Sequence, residues 1–178
     1  MYKVYKQALL TLKNNKGVNS MILDLFFERL KSNPALTRAE DAADHFGSYC
    51  IPLNTKTKKI YIGHHKKSNL WLPPGGHIDK HESPKDAALR EFSEELSYEV
   101  KFEPISLVNV DISTIYNPGY ACRIHFDFWY VVFMDKEPNF EFSQREYFTA
   151  EWVTIPQLLK HNTLPHYITI YKNLAQNF

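Results

Sequence analysis

Between Gly76 and Tyr98 the chain reads GHIDKHESPKDAALREFSEELSY, and this stretch decides the architecture. Ser83 is a natural N-cap, Pro84 suits the first helical position because its missing N–H is not needed there, and Asp86 completes an S-x-x-D capping box. The spacing predicts a helix from Ser83 to Leu96 with Ala88, Leu89, Phe92 and Leu96 as its apolar stripe. Its polar side carries Glu91, Glu94 and Glu95 at i, i+3 and i+4, within side-chain reach of one another. Like charges at these spacings repel by roughly a few tenths of a kcal/mol per pair. The cost grows when they are desolvated, unless a cation neutralises them. Oxygen-only donors on a rigid helix match a hard divalent ion, magnesium with a phosphate substrate above all, with manganese the alternative. No His or Cys stands beside these carboxylates on the helix, which argues against zinc there. Upstream, Gly75-Gly76 lets backbone approach a ligand closely. Glu82 precedes the helix and can fold back toward the acidic face, and Arg90 can hold a carboxylate in a fixed orientation.

Working outward, the flanks read as strands. Ser48 to Leu53 and Lys59 to His64 are short β candidates around the polar turn at residues 54–58. Leu70 to Gly76 runs apolar residues into a Pro-Pro-Gly-Gly turn and is read as irregular. Past the helix, Tyr98 to Ile112 reads as mixed β. From Ala121 to Met134, Arg123, His125 and Asp127 alternate with Ile124, Phe126 and Phe128 before both faces turn apolar, the pattern of a central strand. A short strand at Glu151 to Val153, a helix from Pro156 to Lys160 and a last helix from Tyr167 to Gln176 close the chain. The first forty residues are helical, most clearly from Asn19 to Leu30, with Asn19 or Ser20 as cap and Asn33-Pro34 as stop. The expected class is α/β (α+β), with residues 1–40 a helical appendage and 41–178 the sheet-bearing domain.

Composition narrows the function. At 178 residues the chain fits one domain with a small appendage. Net charge is +1, so no global basic field argues for nucleic-acid or membrane binding. The two cysteines, Cys50 and Cys122, form no CxxC pair, and no stretch approaches the apolar length of a membrane span. Both facts point to the cytoplasm.

The residues Gly76, Glu82, Arg90, Glu91, Phe92, Glu94, Glu95 and Tyr98 resemble the Nudix box, G-x5-E-x7-R-E-U-x-E-E-x-G-U with U apolar. Its six invariant charged or glycine positions up to Glu95 coincide by chance on the order of 10⁻⁸ times per starting position, which sets aside a merely solvated acidic helix. The one departure is Ser97 in place of glycine. The resemblance implies an α/β/α sandwich with a central mixed sheet and magnesium-dependent attack of water on a phosphorus of a diphosphate. It also implies that Glu94 and Glu95 are primary metal ligands, Glu91 a further ligand or base, and the Gly76 carbonyl an additional ligand. Arg90 then orients Glu91 and Glu82 supports the box. The downstream candidate for a general base is Glu146, in the polar run Ser143-Gln-Arg-Glu146.

Beyond the box, the run His64-His65-Lys66-Lys67 ends a strand and is a candidate for substrate phosphates, and Arg123, His125 and Asp127 share a strand face that is a candidate lining of the substrate cleft. Tyr116 sits where the resemblance to diadenosine polyphosphate hydrolases places a tyrosine, whereas Pro118 fits the ADP-ribose pattern poorly. The expected partner is a small nucleotide-type substrate, and a homodimer is an open reading. Two rivals remain. One is a non-catalytic ligand-binding sensor of the same fold, which commonly lacks box carboxylates kept here. The other is an isoprenoid diphosphate isomerase, which needs an activated cysteine.

Overall fold

The computed structural model describes residues 1–178 except Pro34, 116–118, Tyr120 and Phe178, together with all side chains but those of Ala175 and Asn177. The elements run α1 (Tyr2–Leu10), α2 (Ser20–Ser32), β1 (Asp44–Asn54), β2 (Ile60–His65), β3 (Trp71–Leu72), β4 (Gly75–His77), α3 (Pro84–Leu96), β5 (Ile105–Thr114), β6 (Ile124–Met134), β7 (Tyr147–Val153), α4 (Ile155–Leu158) and α5 (Pro165–Asn177). A mixed sheet with helices places the chain in the α/β class, as expected. Two compact units share it: residues Met1–Tyr49, Gly75–Ala88 and Leu107–Tyr130 form the first, and Cys50–Pro74, Leu89–Ser106 and Val131–Phe178 the second.

In the first unit, β1 is bordered by β4 and β6, and β6 by β5. The β1–β4 ladder is antiparallel, with Gly47 opposite His77, Ser48 opposite Gly76 and Tyr49 opposite Gly75. The core here is aromatic. Tyr5 of α1 meets Phe46 and Phe128 edge-on at 5.3 and 5.7 Å, and Phe26 of α2 meets Phe126 at 5.2 Å, the offset geometry ring quadrupoles favour. The alternation predicted from Ile124 onward is thereby explained, because Phe126 and Phe128 are the face these helices cover. Asn19 caps α2, its side chain accepting from Met21 N–H at 2.9 Å. The buried Arg29 is fully engaged: Nε binds Asp44 at 2.8 Å, and the other nitrogens bind the carbonyls of Asn33, Ala35 and Asp44.

In the second unit, β2 is antiparallel to β1, β3 and β7, with Leu53 opposite Ile60, Gly63 opposite Leu72 and Tyr61 opposite Trp152. Phe92 of α3, fully buried, packs edge-on to Phe140 at 5.8 Å, and Phe140 stacks on Trp152. Gly63 admits the ring of Tyr147: a Cβ there would lie 2.3 Å from Tyr147 Cδ1.

Several expectations change; β1 begins at Asp44 rather than Ser48, β6 begins at Ile124 rather than Ala121, and α4 is Ile155–Leu158. The run at 70–76 is not irregular throughout, since Trp71–Leu72 and Gly75–His77 each form a short ladder; the two prolines interrupt but do not prevent pairing of their neighbours. Tyr98 to Ile112 is strand only from Ile105. Ahead of it the Glu103 carboxylate accepts from Tyr98 Oη at 2.5 Å and from the N–H groups of Lys101 and Phe102, a local network that outcompetes the ladder. β7 begins at Tyr147 rather than Glu151, because Tyr147 and Ala150 already pair with His65 and Gly63. Within α3, Ala87 is fully buried and Leu89 only half-buried, a modest rotation of the expected stripe.

Candidate active site

In the second unit the acidic face of α3 is as the helical spacing requires. Arg90 Nη1 lies 2.8 Å from Glu91 Oε1 and 3.5 Å from Glu94 Oε2, so one guanidinium bridges two of the three carboxylates. They differ in environment. Glu94 is exposed, the Glu91 side chain retains 15% of its surface, and Glu95 is 5% exposed. A carboxylate as buried as Glu95 needs partners, and one is the Tyr147 hydroxyl, which donates to Oε2 at 2.5 Å. Burial raises the Tyr147 pKa well above the ordinary phenol value. The Glu95 charge and bond raise it further, with smaller contributions from Glu91 and Glu146. Tyr147 is therefore a permanent hydrogen-bond donor to Glu95.

The same turn brings Glu146 into this neighbourhood. Ser143 N–H donates to the Glu95 carbonyl at 2.7 Å, and Glu146 and Tyr147 N–H donate back to Ser143. The Glu146 carboxylate lies 3.1 Å from Lys67 Nζ and 3.4 Å from His65 Nε2. Burial lowers the His65 pKa, and the Glu146 charge only partly offsets this. Lys66, singled out in the sequence, instead directs its amino group at the Gln144 carbonyl and sits over the Phe148 ring. His64 stacks on Trp71 at 5.5 Å and bonds Asn69 at 2.7 Å, and Trp71 also meets His161 at 3.9 Å.

In the first unit, Gly76 lies in β4 opposite Ser48, and the Ser48 hydroxyl donates to the Pro84 carbonyl at 2.7 Å, tying the first turn of α3 to β1. The capping box forms as expected: Asp86 N–H donates to Ser83 Oγ at 3.1 Å, and Ser83 N–H to Asp86 Oδ2 at 3.4 Å. The Glu82 carboxylate accepts from Asp79 N–H at 2.9 Å, closing the loop before the helix. Arg123 is exposed, with Nη1 donating to the Cys122 carbonyl at 3.2 Å. Arg123 precedes β6, whereas Asp127 within it is fully buried, accepts from the Ser113 hydroxyl at 3.1 Å, and is pushed by burial up to about 8. Tyr116 and Pro118 lie outside the described residues.

Sequence reading missed Tyr147, and it did not pair His65 and Lys67 of the run His64-His65-Lys66-Lys67 with Glu146. Only the adjacency of Tyr147 to Glu146 pointed to the first, since nothing local shows which side chain of a strand meets a helix about fifty residues upstream. It also missed a cluster. His45, His77, Cys122 and His125 bring one ligand-type atom each to within 4.8 Å of one another, although Cys122 has no metal-ligand spacing in the chain. Cys50 is fully buried, and burial raises its thiol pKa far above the ordinary value. It is not the activated thiol an isomerase of this fold needs.

An acidic helix whose carboxylates are held by an arginine and a buried tyrosine, on an α/β scaffold, defines a candidate phosphate-handling metalloprotein. The model of the NUDIX domain matches residues 44–174, and the chain belongs to the Nudix family. It is 28% identical over 109 residues to a protein of Lactococcus lactis subsp. cremoris (strain MG1363) named "Probable DHNTP pyrophosphohydrolase", an alignment covering 59% of this chain and 64% of that relative's length. Among solved structures, the dihydroneopterin triphosphate pyrophosphohydrolase of E. coli superposes with a TM-score of 0.66 at 15% identity, covering 81% of this chain and 99% of that one. An Ap4A hydrolase of C. elegans gives 0.62 at 14% identity, covering 74% and 95%. At these identities the structural likenesses establish the fold.

Proposed function

We propose that the chain is a magnesium-dependent hydrolase that splits a diphosphate linkage in a nucleoside diphosphate derivative or related compound by attack of water at phosphorus. The observation that carries this reading is Glu95: a nearly buried carboxylate, donated to by Tyr147, on the same helical face as Glu91 and Glu94. Three clustered carboxylates offering only oxygen fit magnesium, with manganese the alternative. Glu94, Glu95 and Glu91 would hold the ion, with the Gly76 carbonyl as a further ligand and Glu82 in support. When bound, the ion neutralises phosphate charge and lowers the pKa of a coordinated water.

The rest falls to the chain. Arg90 orients Glu91 at 2.8 Å and lies 3.5 Å from Glu94. Tyr147 holds one oxygen of Glu95 by donating to Oε2. Glu146, beside a largely neutral His65, takes the proton from the attacking water. Lys67, ion-paired to Glu146 at 3.1 Å, restrains the position of that carboxylate. Substrate contacts are assigned to His64 and Lys66, whose aromatic neighbours Trp71 and Phe148 suit a planar base, and to Arg123 and Tyr116. Residues 1–40 serve as an accessory element to a hydrolase domain spanning 41–178. We place the protein in the cytoplasm because both cysteines are free thiols, as a reducing compartment keeps them. No helix among the described residues is long and apolar enough to cross a membrane.

The test is magnesium-dependent phosphate or pyrophosphate release across a panel led by dihydroneopterin triphosphate and Ap4A, for which the relatives above are named, and extended to nucleoside triphosphates, sugar nucleotides, ADP-ribose and NADH. Turnover of one class, lost without metal and in Glu94→Gln and Glu95→Gln, supports the reading. Tight ligand binding without turnover, surviving both substitutions, replaces it with a sensor. Glu146→Gln separates the base: turnover should fall about a hundredfold with little change in KM, and wild-type turnover removes Glu146 from the mechanism.

A further inference from the structure

The first unit holds a second constellation, of different chemistry from α3. His45 lies at the start of β1, His77 closes β4, Cys122 precedes β6 and His125 lies near its start. The Cys122 sulfur is 3.7 Å from His45 Nε2 and 3.8 Å from His77 Nε2. The imidazole centroids stand 4.8 Å (His45–His77), 4.8 Å (His45–His125) and 5.1 Å (His77–His125) apart. His45 and Cys122 are buried and the other two half-buried.

A packed aromatic cluster would place carbon faces together, and these polar atoms do not behave that way. His45 Nδ1 lies 2.9 Å from the Asp41 carbonyl. A carbonyl only accepts, so Nδ1 carries the hydrogen and Nε2 presents its lone pair toward Cys122. Backbone orientation of the outer nitrogen is how metal-ligating histidines are commonly held. A thiol has one hydrogen, yet Cys122 faces two ring nitrogens. His125 Nε2 is buried with no hydrogen-bond partner among the described residues. Such an atom costs about 1–3 kcal/mol unless something binds it.

We propose that His45, His77, Cys122 and His125 bind one zinc ion as a closed structural site that ties the box loop to the strands beside it. Three nitrogens and one sulfur suit tetrahedral zinc. With metal–nitrogen bonds of about 2.0–2.1 Å and a metal–sulfur bond of about 2.3 Å, neighbouring ligand atoms stand roughly 3.3–3.7 Å apart. The sulfur–nitrogen separations already approach that edge length. Four protein ligands leave no open position, so the ion braces rather than catalyses. On binding, the Cys122 thiol loses its proton to solvent and the sulfur lone pair forms the metal bond, with no change of oxidation state. His77 adjoins Gly76, so the ion would fix the loop from which the helix springs. This inference does not depend on the proposed hydrolysis.

Cobalt(II) titration of the chelator-stripped full chain, in excess magnesium, tests it. About one cobalt per chain should bind with a near-ultraviolet thiolate-to-metal charge-transfer band and tetrahedral d–d bands, and zinc should displace it. The carboxylates of α3 cannot produce a thiolate band, so the Glu94→Gln, Glu95→Gln double variant should keep it in full. Cys122→Ser should lose it, and His125→Ala should weaken cobalt binding by about tenfold or more. Zinc should also raise the wild-type melting temperature by several degrees. Absence of the band in the wild-type chain, or its survival in Cys122→Ser, overturns the site. Should Cys122→Ser fail to fold, the wild-type titration and zinc-dependent melting alone decide.

Discussion

The acidic face of α3 and the imidazole–thiol cluster of the first unit are both sets of potential metal donors, yet they are built in opposite ways. The first comes from one continuous helix, uses hard oxygen atoms, and is braced by Arg90 and Tyr147. The second is gathered from separate points on the chain and uses nitrogen and sulfur. A hard ion that keeps its waters needs exposed carboxylates on a stiff support, and α3 offers graded exposure from Glu94 to Glu95. A borderline ion that sheds its waters needs a closed set of side chains, and here neighbouring strands assemble it.

The strongest way to break this contrast is Glu95→Gln. We expect turnover to fall by about a hundredfold or more, since metal-assisted stabilisation of phosphoryl charge is worth roughly several kcal/mol, while the cobalt–thiolate band stays unchanged. Loss of the band would show that the two regions do not act separately. Tyr147→Phe sharpens it next. The buried Glu95 loses its hydroxyl partner, which should lower stability by about 1–3 kcal/mol in urea unfolding; an unchanged midpoint would mean that Glu95 is satisfied elsewhere.

Smaller effects probe the ends of the elements. Ser97 stands at φ 49°, the left-handed conformation that the box usually gives to glycine. Ser97→Gly should stabilise the chain by about 1 kcal/mol and raise the melting temperature by about 2–4 °C, with turnover unaltered. The smallest concerns Glu137, whose carboxylate accepts from Thr57 at 2.7 Å and Lys59 at 2.9 Å. These contacts, Thr57 first, hold its pKa below the ordinary 4.5. Its contribution is therefore present above the ordinary value and lost as pH falls through the lowered folded one. Glu137→Gln should cost under about 1 kcal/mol at neutral pH, with the difference vanishing in acid. A difference that persists once the carboxyl is protonated in both the folded and unfolded states would assign it to packing.

Much of this is legible in the order of residues alone. Ser83, Pro84 and Asp86 state where α3 begins, and Arg90 to Glu95 state which face carries charge, because helical periodicity is a property of neighbouring residues. Asn19 announces the cap of α2 for the same reason. The early start of β7 and the late start of β5 are hidden, because strand limits depend on partners: His65 and Gly63 in one case, the competing Glu103 network in the other. Lys66 and Lys67 look alike in the chain, and only the turn carrying Glu146 distinguishes them.

By itself the sequence determined an α/β chain with a Nudix box on a capped helix, since those features depend on residues within one or two turns of each other. Tertiary structure alone decided that Tyr147 reaches Glu95 and that His45, His77, Cys122 and His125 meet. Such contacts depend on strand register and burial, and a one-residue slip in a ladder turns every side chain to the opposite face.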